Sequence, residues 1–89
     1  MAEGYINVKG PLYVGKKTGT FPANISYLDI TADNVTGYKF VAWIGISSIG
    51  WVGYVYPEDF SAKSVRIFTT TNSTTSRNVA CFALYESLG

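Results

Sequence analysis

The hydrophobic positions of this chain fall into short runs separated by turn residues, and no helical period lasts beyond two turns. Apolar or loosely alternating runs cover residues 5–8, 12–14, 25–30, 40–46, 51–56, 64–69 and 79–85. Glycine, proline, asparagine and aspartate lie between them, and these residues favour turns. The pattern predicts an all-β fold, a small antiparallel β-sandwich or barrel of about six to eight strands.

Residues 40–59 hold both tryptophans and two of the seven tyrosines, with no charge before Glu58. Aromatic and β-branched residues favour a pleated, half-buried surface. We expect a strand over 40–46, with Trp43 on the face opposite Phe40, and a tight connection over 47–50. A returning strand over 51–56 would complete a hairpin. A second turn is predicted over residues 15–20, where two glycines flank two lysines and a threonine.

The final run, residues 79–85, is apolar at seven consecutive positions. A strand with one wet face alternates, so this pattern is typical of a strand covered on both sides. The 89 residues make a single domain, with N-terminal strands and turns over 1–39 and the aromatic hairpin and closing strands over 40–86. Because so small a domain can cover both faces of few strands, we expect self-association, as a homotrimer or a dimer, to cover the second face.

Composition and failed motifs argue against several function classes. The net charge is +1 and the basic residues are dispersed, which is not typical of nucleic-acid binding. With no histidine and one cysteine, we expect no metal site and no cofactor. The uncharged window 40–56 is interrupted by serines and glycines, so we expect no membrane span. A near-match to a phosphate-binding loop fails at Lys17, where serine or threonine is needed. We therefore expect no enzyme.

One constellation suggests a binding surface. Trp43, Trp51, Tyr54 and Tyr56 lie on the two predicted hairpin strands, and Asp59 follows them. Sugars stack their apolar C–H faces on aromatic rings, and a nearby carboxylate can bond their hydroxyls. The competing interpretation is that these rings are core or intersubunit packing, where aromatic side chains contribute much of the burial energy.

The succession WIGISSIGWVGYVYPED, SVRIFTTTNSTTSRNV and ACFALYE, over residues 40–86, resembles the distal domains of bacteriophage tail fibres and receptor-binding proteins. The resemblance implies a homotrimeric β-domain on the virion surface, extracellular after release, with other virion proteins as further partners. It implies host attachment through a cell-surface glycan. Two alternatives stay open: a capsid decoration or head-fibre protein with a purely structural role, and a bacterial carbohydrate-binding module.

Overall fold

The computed structural model describes residues 11–88, and these form two three-stranded antiparallel sheets without a helix. The strands are β1 (Leu12–Phe21), β2 (Tyr27–Thr31), β3 (Tyr38–Ile49), β4 (Val55–Pro57), β5 (Ser64–Thr69) and β6 (Arg77–Ser87). The order β1-β6-β3 makes the long sheet, and β2-β5-β4 makes the short sheet. The all-β prediction is confirmed, with six strands in this part of the chain. The predicted strand over residues 5–8 lies outside it.

The core lies between the inner faces of the two sheets. Alternate residues of β6 are buried, among them Val79 and Cys81, which are fully enclosed. The short sheet contributes Ile67, also fully enclosed. Side chains of strands point alternately to opposite faces, so each strand supplies every second residue to this core. Strand β5 has the predicted bounds.

Strand β6 is apolar on both faces because it is the central strand of the long sheet. On its outer face Ala80 is buried, while Phe82 and Leu84 are half-buried. This outer face also carries Leu12 and Ile49, which are 50% and 43% exposed. The residues that the structure describes thus leave an apolar sheet face open to solvent in the single chain.

The predicted alternation across residues 40–46 is wrong. Strand β3 contains two register shifts against β6, where Val41 and Ile44 have no pairing partner. Each extra residue forms a β-bulge, which changes the face on which the following side chains lie. As a result Phe40 and Trp43 share the inner face, with ring centroids 5.4 Å apart, while Val41 and Ile44 are exposed.

The predicted aromatic hairpin is also wrong. Strand β3 continues to Ile49 and pairs with β6, not with the residues that follow it. Gly50 then takes a positive φ of 77°, a conformation that glycine adopts readily, and the chain crosses to the short sheet. There β4 (Val55–Pro57) pairs with β5. Strand β6 pairs with β3 in place of residues 51–56, because β6 is more apolar and its burial stabilises the fold more.

The turn predicted over residues 15–20 does not exist, since β1 runs through it and pairs with β6 along its whole length. The glycines there make room for side chains. A Cβ at Gly15 would approach a ring carbon of Tyr85 to 3.1 Å, and one at Gly19 would approach Leu28 to 2.7 Å. The glycines therefore mark close packing within the domain. In residues 11–88 no helix is long and apolar enough to cross a membrane.

Candidate glycan-binding surface

A row of aromatic side chains crosses the outer face of the short sheet. Since Ile67 and Thr69 point into the core, Phe68 between them points outward. In the sheet register Phe68 lies opposite Tyr27 on one side and Tyr56 on the other. Tyr27, Phe68, Tyr56 and the neighbouring Tyr54 are called the aromatic row below.

Three rings of the aromatic row, those of Tyr54, Tyr56 and Phe68, contact one another in succession. The ring centroids of Tyr56 and Phe68 are 5.7 Å apart with planes inclined by 28°. Those of Tyr54 and Tyr56 are 5.6 Å apart and inclined by 37°. Tyr54 is 68% exposed, Tyr27 44% and Tyr56 39%. Exposed aromatic side chains grouped in this way, each with a polar hydroxyl at its tip, are typical of interaction sites.

An ion pair holds the Tyr27 end of the row in place. The Arg66 side chain donates to both carboxylate oxygens of Asp29, at 2.8 and 3.1 Å. Its guanidinium lies 4.4 Å from the centroid of the Tyr27 ring, a cation–π contact. The hydrogen bonds from Arg66 lower the pKa of Asp29, so this carboxyl is ionised at neutral pH. The fixed pair places polar groups beside the aromatic surface.

Asp59 lies in a shallow depression of about 670 Å³ that also contains Glu58, Asp29 and Arg66. Its carboxylate accepts hydrogen bonds from the Ser61 backbone N–H at 2.9 Å and the Ser61 hydroxyl at 2.7 Å. Both hydrogen bonds lower the pKa of Asp59, and the one from the Ser61 backbone has the larger effect. Because Arg66 borders both features, the depression adjoins the aromatic row and offers carboxylate acceptors for hydroxyl groups.

Trp43 does not belong to this surface. It is 2% exposed in the core, and its indole N–H donates to the Ala62 carbonyl oxygen at 2.8 Å. The competing packing interpretation therefore describes Trp43 correctly. The β-bulges of β3, which alternation alone could not reveal, turn it inward.

Trp51 is half-buried at another place, beside the turn that follows β3. Its indole N–H donates to the Asn78 carbonyl oxygen at 2.6 Å, and its ring meets Phe21 edge-on with centroids 6.2 Å apart. Of the residues proposed from sequence, the structure thus groups Tyr54 and Tyr56, with Asp59 in the adjoining depression.

Sequence reasoning missed Tyr27, Arg66 and Phe68. A signal for two of them was present, because strict alternation in β5 places Arg66 and Phe68 opposite the apolar Val65 and Ile67. No local pattern joins Tyr27 to them, since β2 and β5 are distant in the chain.

Two observations concern metal ligands and the cysteine. Between residues 11 and 88 no group of three or more histidine, cysteine or acidic side chains is placed to hold a metal ion. Cys81 is fully buried, and burial raises the pKa of its thiol to about 11. The thiol is therefore protonated at neutral pH and a poor nucleophile.

Comparison of the chain with protein-family models, with curated proteins and with solved structures finds no match. The class that the fold defines is a small all-β domain of two antiparallel three-stranded sheets. Its distinguishing surface feature is the aromatic row.

Proposed function

We propose that this chain is a virion surface module of a bacteriophage, in a tail fibre or receptor-binding tip, that attaches to a glycan of the host cell. The observation that carries the binding part is the aromatic row on the outer face of the short sheet, where Tyr54 and Tyr56 are 68% and 39% exposed. The resemblance of residues 40–86 to phage fibre tips supports the virion part. The proposed role is recognition, with no chemical step.

The aromatic row suits a saccharide for two reasons. Its three tyrosine side chains are exposed, so they offer apolar ring surface to a sugar without a deep cleft. The tyrosine hydroxyls of the row and the carboxylates of Glu58 and Asp59 in the adjoining depression can bond sugar hydroxyls. Such a surface combines apolar contact with hydrogen bonding.

The experiment is a screen of the protein against a printed array of bacterial surface polysaccharides, followed by calorimetric titration of the best binder. Tyr56→Ala should weaken binding about tenfold or more, as expected when a stacking aromatic is truncated. Phe60→Ala is the matched control, since Phe60 is an aromatic residue 57% exposed outside the row. Equal affinity of the wild type and Tyr56→Ala would contradict the proposed surface.

We further propose that the protein assembles as a homotrimer through the outer face of the long sheet. This face carries the half-exposed Leu12 and Ile49 and the half-buried Leu84. Its charged side chains are few: Lys16 lies on the edge strand, and Lys39 pairs with Glu86 at 3.0 Å near one end. Three copies of this weakly charged face packed around a threefold axis would bury it, with each face meeting a different part of the next copy, because the contacts of a cyclic trimer are heterologous.

Light scattering should give the mass of three chains at micromolar concentration. The double variant Leu12→Lys with Ile49→Lys should give the mass of one chain, whereas Val52→Lys should not change the assembly, since Val52 is 96% exposed on a connecting segment. A wild-type mass of one chain would overturn the trimer. A trimer that binds no glycan would instead favour the purely structural alternative, a capsid decoration or head-fibre protein. A bacterial carbohydrate-binding module would bind glycan as a monomer.

A further inference from the structure

A groove of about 330 Å³ lies beside the turn that follows β3, and none of its lining residues belongs to the aromatic row. One wall is formed by residues 49–52, which include Trp51, and the other by residues of the 71–78 segment, rich in threonine, serine and asparagine. Among the lining residues Arg77 alone carries a charge. The groove therefore has one wall with apolar residues, including Ile49 and Val52, and one wall of neutral hydrogen-bonding groups around a single cation.

Arg77 is a buried cation without a carboxylate partner among residues 11–88. It is 5% exposed, and its guanidinium donates only to backbone carbonyl oxygens: those of Ile25 at 2.7 Å, Pro22 at 3.3 Å, and Thr71. The ion pairs in this part of the chain involve other residues. Its Nε donor has no acceptor there. Arginine stays protonated in proteins, and a buried charge is costly unless an opposite charge compensates it.

The Trp51 ring stands next to this cation. The Arg77 guanidinium carbon lies 5.7 Å from the Trp51 ring centroid and 5.5 Å from that of Phe21. The hydrogen bond from the Trp51 indole to the Asn78 carbonyl holds the ring at the groove wall. Since Trp51 is only half-buried, part of its face can contact a ligand.

The rim of the groove supplies hydrogen-bond donors. Asn72 uses its side-chain oxygen to accept the Ser73 backbone N–H at 3.0 Å, and Asn78 uses its own to accept the Thr20 hydroxyl at 2.9 Å. When the side-chain oxygen of an asparagine accepts a hydrogen bond, its NH₂ group points away from that donor and can donate to another group. These two amides, with the exposed hydroxyl of Ser76, are suited to an oxyanion.

We propose that this groove binds the carboxylate or phosphate group of an acidic saccharide. Arg77 supplies the compensating positive charge, the rim amides donate to the oxyanion, and Trp51 contacts the sugar ring. Because Arg77 is so little exposed, the direct hydrogen bonds come from the rim. The inference does not depend on the aromatic row, which shares no residue with the groove.

The test is an NMR titration of the ¹⁵N-labelled wild-type protein at constant ionic strength with glucuronate, glucose 6-phosphate and neutral glucose. Either anion should cause saturable shifts of the Arg77 Nε–H and Trp51 indole N–H signals, and the response to each anion tells carboxylate from phosphate recognition. Glucose should cause none. The indole N–H of Trp43, buried in the core, is an internal reference that should stay in place. Absent shifts at Arg77 and Trp51, or equal shifts with glucose, would overturn the proposal.

Two variants extend the test. Asn72→Ala, on the exposed rim, should weaken anion binding about tenfold, as expected for loss of a hydrogen bond to a charged group. Arg77→Gln should weaken it at least as much. If Arg77→Gln does not fold, the wild-type titration and Asn72→Ala still decide. Lys63→Ala removes an exposed cation elsewhere and should leave the affinity unchanged. An equal loss in Lys63→Ala and Asn72→Ala would show diffuse charge attraction and refute the site.

Discussion

Trp43→Phe should cost this domain a large share of its stability, because the indole is part of the core. The side chain is 2% exposed, donates to the Ala62 carbonyl at 2.8 Å, and packs against Phe40 with centroids 5.4 Å apart. Losing the hydrogen bond costs about 1 kcal/mol. The smaller ring leaves unfilled space, which adds about 1–2 kcal/mol. The sum is about 2–3 kcal/mol, or a fall in Tm on the order of 10–20 °C for a domain of this size.

The assay is urea and thermal unfolding followed by circular dichroism at one fixed protein concentration, because self-association would make Tm depend on it. Phe60→Leu is the control, and it should stay within about 0.5 kcal/mol of wild type because Phe60 is exposed. At a temperature where Trp43→Phe is folded, its glycan affinity should equal that of wild type. A stability loss below about 0.5 kcal/mol, or an intact fold with lost glycan binding, would refute the assignment of Trp43 to the core.

Three further predictions concern the backbone and titrating groups. Gly50→Ala should destabilise the domain by about 1 kcal/mol in urea unfolding, because φ at Gly50 is +77°. A Cβ there would meet no other atom, so the cost is backbone strain alone. Gly50→Asn should cost less, since asparagine tolerates a positive φ, and equal costs of the two variants would contradict this. The native Cys81 thiol should resist alkylation at neutral pH. Its folded pKa of about 11 exceeds the ordinary 9.0, so stability should fall as pH rises between these values. Cys81→Ala should show a smaller slope, and part of the remaining slope comes from Tyr85, whose pKa burial also raises. The folded pKa of Asp29 is lowered, so any stability from its pair with Arg66 is present above pH 3.8 and lost as pH falls through the folded value. The unfolding free energies of wild type and Asp29→Asn should therefore converge in acid. A difference between them that widens in acid would count against the pair.

The candidate surface shows how far residue patterns reach. Tyr54 and Tyr56 were identified as candidates because they stand close together in an aromatic stretch, and they do lie together on the outer face of the short sheet. Tyr27 and Phe68 join them only through strand pairing. Trp43 lies in the same aromatic stretch as the tyrosines but faces the core, since one bulge of β3 precedes it and another follows it.

The burial of Arg77 could not be predicted from the sequence either. In the sequence it is one basic residue in a loop of threonine and serine, and nothing local distinguishes it from an exposed lysine. It is buried where carbonyl groups of two separate segments, those of Pro22 and Ile25 between β1 and β2 and that of Thr71 after β5, converge on one guanidinium. Only the folded chain brings these acceptors together.

The sequence by itself determined the strand character of the chain and the bounds of β5. It also determined that the last strand, over residues 79–85, is apolar on both faces. These features follow from local preferences: side-chain alternation, β-branched and aromatic content, and turn residues. The tertiary structure decided which strands pair, where the bulges fall and which rings reach solvent. Pairing is a competition among distant segments to bury the most apolar surface, and β6 wins the place beside β3 that the adjacent segment would have taken.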